Sequence, residues 1–308
     1  MADVALASKT SAYATLSIRR GEGSTAFWFV APAGILMALL LFGPVLAVFV
    51  FAATDWQFGA PTFRFIGFGN FVELATDRVF WMALSNTLTY VLVVVTACIA
   101  FGLCVAILIE ASPRLRTFYR AAHFLPVMTT IVAMAISWEM LFHPSIGLIN
   151  QALGAVGVAP KNWLRDESTA LWALCLIGIW QNLGFAMVLF AAGLKAIPRD
   201  LYEAGDIDGA DGATDRLFTI TLPLLGPVMM FVLIVVSIRA LQVFETVQIL
   251  TKGGPNKASE VLLRHLYVES FEFLRTGYGA GVTIVYLLIV VGFTLIQART
   301  LEKRIHYS

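Results

Sequence analysis

The chain has 308 residues, 59% hydrophobic and 13% charged, with a mean hydropathy of +0.81. A soluble domain is about a quarter charged, so this chain lacks the polar groups to cover its own surface, and its expected solvent is lipid. A net charge of +1 offers nothing to nucleic acid; Cys98, Cys104 and Cys175 lie in apolar runs and the four histidines are not clustered with other ligand types, which leaves no disulfide framework and no metal-site signal.

A helix crosses the hydrocarbon core with about 20 apolar residues, and charges within it are costly. Intervals free of formal charge run over 24–54, 79–109, 121–138, 169–194, 217–238 and 276–298. The first is too long for a secretory signal peptide and lacks a cleavage-site pattern, so it is expected to be retained. The third is short and is expected to continue past Glu139 to Phe142. The reading is six spans in an all-α integral membrane protein. Pro32, Gly43, Pro44, Gly184, Pro223 and Pro227 inside them predict kinks or close helix packing.

Six spans put both ends on one side, and lysine and arginine decide which. Twelve of the 21 basic residues fall in the tails and loops 1–23, 110–120, 195–216 and 299–308, while the longer opposite loops 55–78, 139–168 and 239–275 hold the rest. Basic density assigns the first set to the cytoplasm. The expected organisation is a cytoplasmic tail 1–23, a membrane domain 24–298 with a cytoplasmic loop at 195–216, and a cytoplasmic tail 299–308. No G-x-x-x-x-G-K-[ST] occurs, so the chain has no recognisable phosphate loop of its own.

Loop 195–216 leads into the oddest stretch of the chain, "YEAGDIDGADGATDRLFTITLP" (202–223), which with Asp200 carries six carboxylates. Residues 198–209 read as one short amphipathic helix. Pro198 suits its first turn, Asp200 and Glu203 suit its positive end, and Gly209 stops it. Leu201, Ala204 and Ile207 share one face, Glu203 and Asp206 another. Such a helix cannot bury its apolar face alone. Acidic residues disfavour the anionic cytoplasmic leaflet, so docking into another protein is the better reading. A solvated loop whose charges keep two spans apart fits the spacing equally well.

Glu203-Ala204-Gly205, Asp208-Gly209-Ala210 and Ile220-Thr221-Leu222-Pro223 together resemble the EAA loop of binding-protein-dependent ABC importer permeases. Gly205 stands where alanine is usual, and ten residues separate Gly209 from Ile220 where nine are usual. The segments "FIGFGNFVEL" (65–74), "RTFYRAAHFLPVMTT" (116–130), "WEMLFHPSIGLINQAL" (138–153), "IWQNLGFAMVLFAAGLKAIP" (179–198), "TKGGPNKASEVL" (251–262) and the tail "LEKRIHYS" resemble, in order, the carbohydrate branch of that family, the maltose- and glycerophosphate-type permeases. The resemblance implies the six-helix type I importer fold in a bacterial inner membrane. It implies a coupling helix in which Leu201, Glu203, Ala204, Gly205, Asp208 and Gly209 seat in a cleft of an ATPase. It also implies partners: two ATPase subunits, a second related permease, and an extracytoplasmic binding protein that delivers a small sugar-like ligand to loops such as 143–168 and 239–275. No cofactor, no metal and no covalent catalysis by this chain are expected.

A sugar entering the bilayer loses water from its hydroxyls and must regain hydrogen bonds there. At the midpoint of 169–194 stand Trp180-Gln181-Asn182. Amides hydrogen-bond hydroxyls in pairs and an indole covers an apolar sugar face, but the same amides could instead join neighbouring helices. The matching positions of maltose-type permeases border the sugar site, which favours binding. Arg239 is the second candidate. If the helix begun at Leu217 extends to about 245, Arg239 lies at or just inside the outer interface. Facing a cavity, with Gln242 one turn away, it would favour an anionic ligand; otherwise it snorkels outward or pairs with Glu245 or Glu269. Asn86, Thr87 and Thr89 read as interhelical bonds, and Trp138, Trp163 and Trp172 as interface anchors or packing.

The first reading is thus a permease subunit for a sugar or glycoside, with glycerol phosphate or another acidic glycoside as the alternative. A rival of another class, an ATPase-independent secondary transporter or channel, predicts paired ionisable residues within spans and often two similar halves. The sequence has neither clear repeats nor a carboxylate central to any span. An intramembrane enzyme finds no nucleophile–base or metal-ligand spacing in the apolar runs.

Overall fold

A computed structural model describes residues 20–112, 114–210 and 212–302. The expected tails over 1–19 and 303–308 lie outside the described residues. The chain divides into two compact units, Met1–Val50 and Phe51–Ser308.

The first unit is one apolar helix, with α1 at Arg20–Met37 and α2 beginning at Gly43 and ending at Ala52, joined through a wider turn at Ala38–Phe42. Pro44 has no N–H to donate, and just before it the Gly43 N–H reaches back five residues to the Ala38 carbonyl. The helix absorbs the proline by widening instead of stopping.

In the second unit the chain order is α3 (Gly69–Thr76), α4 (Arg78–Ala111), α5 (Arg116–Met128), α6 (Ile131–Leu141), α7 (Leu148–Ala155) and α8 (Ala170–Ala196). After these come α9 (Arg199–Ile207), α10 (Ala213–Arg216), α11 (Leu222–Leu224), α12 (Gly226–Leu241), α13 (Glu245–Leu250), α14 (Leu262–Tyr267) and α15 (Thr276–Glu302). Among the described residues the β pairing is confined to one isolated bridge, Thr54 with Phe65. Asp77 starts α4 cleanly, its Oδ1 accepting from the Val79 N–H at 2.7 Å.

The core forms where α4 meets α8. Val94, Cys98 and Ala106 of α4 and Leu174, Ile177, Ala186 and Phe190 of α8 are buried in one cluster with Val232 and Val236 of α12. Lipid offers no hydrophobic contrast between helices, so small residues that admit close backbones do much of the joining. Gly102 of α4 faces Ala186, where an added Cβ would stand 3.0 Å from the alanine methyl. Gly184 lies directly against the backbone carbonyl of His123 on α5, leaving no room for any side chain.

Among the described residues, five helices or helix runs are long and apolar enough to cross a membrane, and the α5–α6 pair makes a sixth if it counts as one span. The expectation of one continuous third helix through 121–142 fails. α5 and α6 meet at 102°, with Thr129 and Thr130 extended between them. Pro126 sits in the last turn of α5 and the Thr129 hydroxyl takes the Leu125 carbonyl at 3.0 Å, so the turn ends locally. The fifth span runs on to Leu250, past the expected limit near 245, with local irregularities at both ends of α12. A wide turn at Leu217–Thr221 precedes Pro223, α12 stops at Leu241, and α13 follows as a separate helix after Gln242–Phe244.

Candidate functional site

Gln181 and Asn182 stand at the centre of the 27-residue α8, Arg239 in the last turn of α12, and Gln242 just beyond its end. These four residues line one cavity of about 190 Å³, together with Tyr90 of α4 and Glu245 at the start of α13. The helix run Gly226–Leu250 is interrupted at Gln242–Phe244, and the residues around that interruption, from Arg239 to Thr246, border the cavity opposite the amides of α8.

The donors and acceptors there are largely uncommitted. The Asn182 amide nitrogen donates to the Gly178 carbonyl of its own helix at 2.9 Å, and among the described residues no donor reaches its oxygen. The Gln181 side chain has no hydrogen bond among the described residues, so neither amide joins two helices there. The Arg239 guanidinium carbon sits over the Phe185 ring, 4.2 Å from its centroid, with no carboxylate of the described residues within ion-pair distance. Glu269, one of the partners considered from the sequence, is held by Arg275 at 3.2 Å instead.

Trp180 is not brought to this cavity. Its ring packs edge-on against Trp138 of α6 at 5.5 Å, which is a packing role at that level of the bundle. Trp180 lies about 200° around the helix from Asn182, so a face that presents Gln181 and Asn182 to the cavity turns the indole away from it. Tyr90 and Glu245 are the residues that the sequence did not single out as lining the site. Tyr90 carries no local signal in an apolar span; Glu245 was visible only as a charge near Arg239.

At the other end of α8 the short acidic helix is present as α9, with Pro198 just before its first residue and Gly209 in the left-handed region (φ +87°) just after its end. Leu201 and Ile207 are 42% and 87% exposed, so the apolar face is uncovered. Glu203, Ala204, Asp208 and Gly209 are exposed, and Glu203 has no ion pair among the described residues. The opposite side ties α9 to the following span. Tyr202 shares a 3.1 Å hydrogen bond with the Thr221 hydroxyl, and Arg216 pairs with Asp206 at 2.5 Å. A Cβ at Gly205 would lie 2.5 Å from Cδ1 of Ile220. The two halves of the sequence motif, Glu203–Gly205 and Ile220–Pro223, therefore meet through the glycine that stands where alanine is usual.

Residues 99–307 match the family model described as binding-protein-dependent transport system inner membrane component. The chain belongs to this family. It is 32% identical to the sulfoquinovosyl glycerol transport system permease protein SmoG of Agrobacterium fabrum, over 92% of each chain. It is 31% identical to the trehalose/maltose transport system permease protein MalF of Thermococcus litoralis, over 92% of this chain and 96% of the relative. A crystal structure of a bacterial ABC transporter involved in the import of the acidic polysaccharide alginate has a chain of the same fold. The TM-score is 0.78 at 22% identity, covering 92% of this chain and 98% of that one. The protein is thus an all-helical ABC importer permease, and its relatives include permeases for sugars and glycosides.

Proposed function

We propose that this chain forms half of the translocation path for a sugar or glycoside delivered by an extracytoplasmic binding protein, and that it performs no covalent chemistry itself. The observation that carries this reading is the convergence of Gln181, Asn182, Arg239 and Gln242, from two helices and a turn, on one cavity. Small-molecule sites usually enclose about 300–1,000 Å³. A cavity of about 190 Å³ fits one wall of such a site, with a second, related permease supplying the facing wall.

Two separate ATPase subunits supply the work. Closure of these on ATP moves α9, whose uncovered face seats in one of them, and the Tyr202–Thr221 and Gly205–Ile220 contacts carry that motion into the span that continues as α12. The last turn of α12 carries Arg239 and Gln242 follows its end, so the span that meets α9 at one end borders the cavity at the other. In this reading both termini and α9 lie in the cytoplasm, with the 251–275 segment on the outer side, where the binding protein docks. The relatives' names include both neutral and acidic cargoes, so membership alone does not choose between them.

The test is ATP-driven uptake in proteoliposomes containing the assembled transporter. Gln181→Ala with Asn182→Ala should abolish uptake while the binding protein keeps its affinity for the cargo. Uptake at the wild-type rate would remove the cavity from the path.

A further inference from the structure

We propose that the cavity takes an anionic glycoside, a polyhydroxylated body bearing a single sulfonate, phosphate or carboxylate group, with Arg239 as the residue that holds the anion. This rests on the preceding assignment of the cavity to the translocated ligand.

Arg239 is the one cation among the described residues that line the cavity. The guanidinium carbon sits over the Phe185 ring, 4.2 Å from its centroid. A cation–π contact commits none of the N–H donors to an acceptor oxygen, so they stay open to a two-oxygen contact with an oxyanion. No hydrogen bond or ion pair occupies those donors among the described residues. The Phe185 ring also limits the directions in which the head can swing, so the donors are held in place before a ligand arrives.

Glu245 borders the same cavity, yet no ion pair joins it to Arg239. Two opposite charges that share a cavity without closing on each other each remain available. The arginine serves an oxyanion, while the carboxylate and the free oxygen of Asn182 accept from hydroxyls. A neutral sugar would displace water from the guanidinium and return no charge to it. Its hydroxyls accept hydrogen bonds but leave the buried charge uncompensated by the ligand. An anionic ligand removes this penalty and makes charge the feature by which the cavity discriminates.

Equilibrium binding to the purified, assembled transporter tests this with three matched probes: methyl α-glucoside, its 6-sulfonate analogue and methyl glucuronide. The wild type should bind the two anionic probes about 10-fold or more tighter than the neutral one, the range of a charge-assisted contact. Arg239→Gln should erase that preference, and Arg239→Lys should restore part of it. Gln181→Ala with Asn182→Ala should weaken all three probes and keep the preference. Equal binding of the three by the wild type, binding of none, or an unchanged preference in Arg239→Gln overturns the anionic assignment. So does loss of the second permease from purified Arg239→Gln complexes, which would give the guanidinium a carboxylate partner across the subunit interface. Unchanged binding of every probe after the double alanine change instead overturns the assignment of the cavity itself.

Discussion

Tyr278, early in α15, donates a 2.6 Å hydrogen bond to the carboxylate of Asp77, the residue that caps α4. This bond spans 201 positions of sequence and joins the last helix of the chain to the start of the central one. His265 of α14 is buried beside them, its Nε2 3.5 Å from the same Asp77 oxygen. Burial depresses the His265 pKa, overcoming the opposing pull of Asp77 and Glu260. Burial raises that of Asp77, but the Tyr278 and Val79 hydrogen bonds and His265 outweigh it and leave the group below its ordinary value. Both groups therefore contribute stability above their unfolded pKa values and lose it as pH falls. For His265 the loss begins near 6.5, for Asp77 near 3.8. Glu269, raised by burial, runs the other way, contributing most below 4.5. The unfolding temperature of the purified protein should begin to fall as pH drops below about 6.5. His265→Gln should flatten that slope, and Tyr278→Phe should lower stability by about 1 kcal/mol at pH 7.

Glu260 is fully buried and pairs with Arg264 at 2.6 Å, while Arg264 Nε donates to Gln248 at 2.8 Å. That chain of contacts holds α13, whose first residues line the cavity. Removing one partner strands a buried charge, so Glu260→Ala should cost about 3–5 kcal/mol. Expression and unfolding temperature should both drop; a change within error would mean that the pair is hydrated in the assembled transporter.

Gly178 faces Tyr90, and a Cβ there would overlap the tyrosine hydroxyl. Tyr90 also lines the cavity. Gly178→Ala should therefore push the ring toward the ligand space, lowering uptake at least several-fold with subunit assembly preserved. Gly184→Ala is different in kind, because its neighbour is the rigid His123 carbonyl and not a side chain. The α5–α8 contact must open, at a cost on the order of 1–3 kcal/mol or more, and yield of folded protein should fall.

Glu203 is exposed and has no side-chain partner among the described residues. Glu203→Lys should leave the unfolding free energy within about 0.5 kcal/mol of wild type while releasing the ATPase subunits during purification. Retained ATPase with normal uptake would count against docking through α9.

Gly205 offers a finer probe of the same coupling. The atom that meets a new Cβ is the far end of the Ile220 side chain, which can rotate away, so Gly205→Ala should be tolerated. Gly205→Leu should lift α9 from the span beneath it, uncoupling ATP hydrolysis from uptake without loss of the complex.

Several features were legible in the chain because their causes are local. Uninterrupted apolar length placed α4, α8 and α15 within a few residues of where they lie, since charge is excluded from a span by solvation alone. The limits of α9 followed from Pro198 and Gly209, which act on their own backbone. The break at Thr129–Thr130 was not legible, because apolar composition measures the oil around a segment and says nothing of its direction. The interruption at Gln242–Phe244 escaped for the same reason. Trp180 shows the complementary limit: its neighbours Gln181 and Asn182 reach the cavity, but helical rotation sends its ring to Trp138. Sequence by itself determined that this is a membrane-embedded helical protein with a short acidic helix between two spans, because solvent preference and turn chemistry are properties of residues. Only the tertiary structure decided which polar groups share a cavity and which are left without protein partners, because that depends on where separate helices end and how far each is turned.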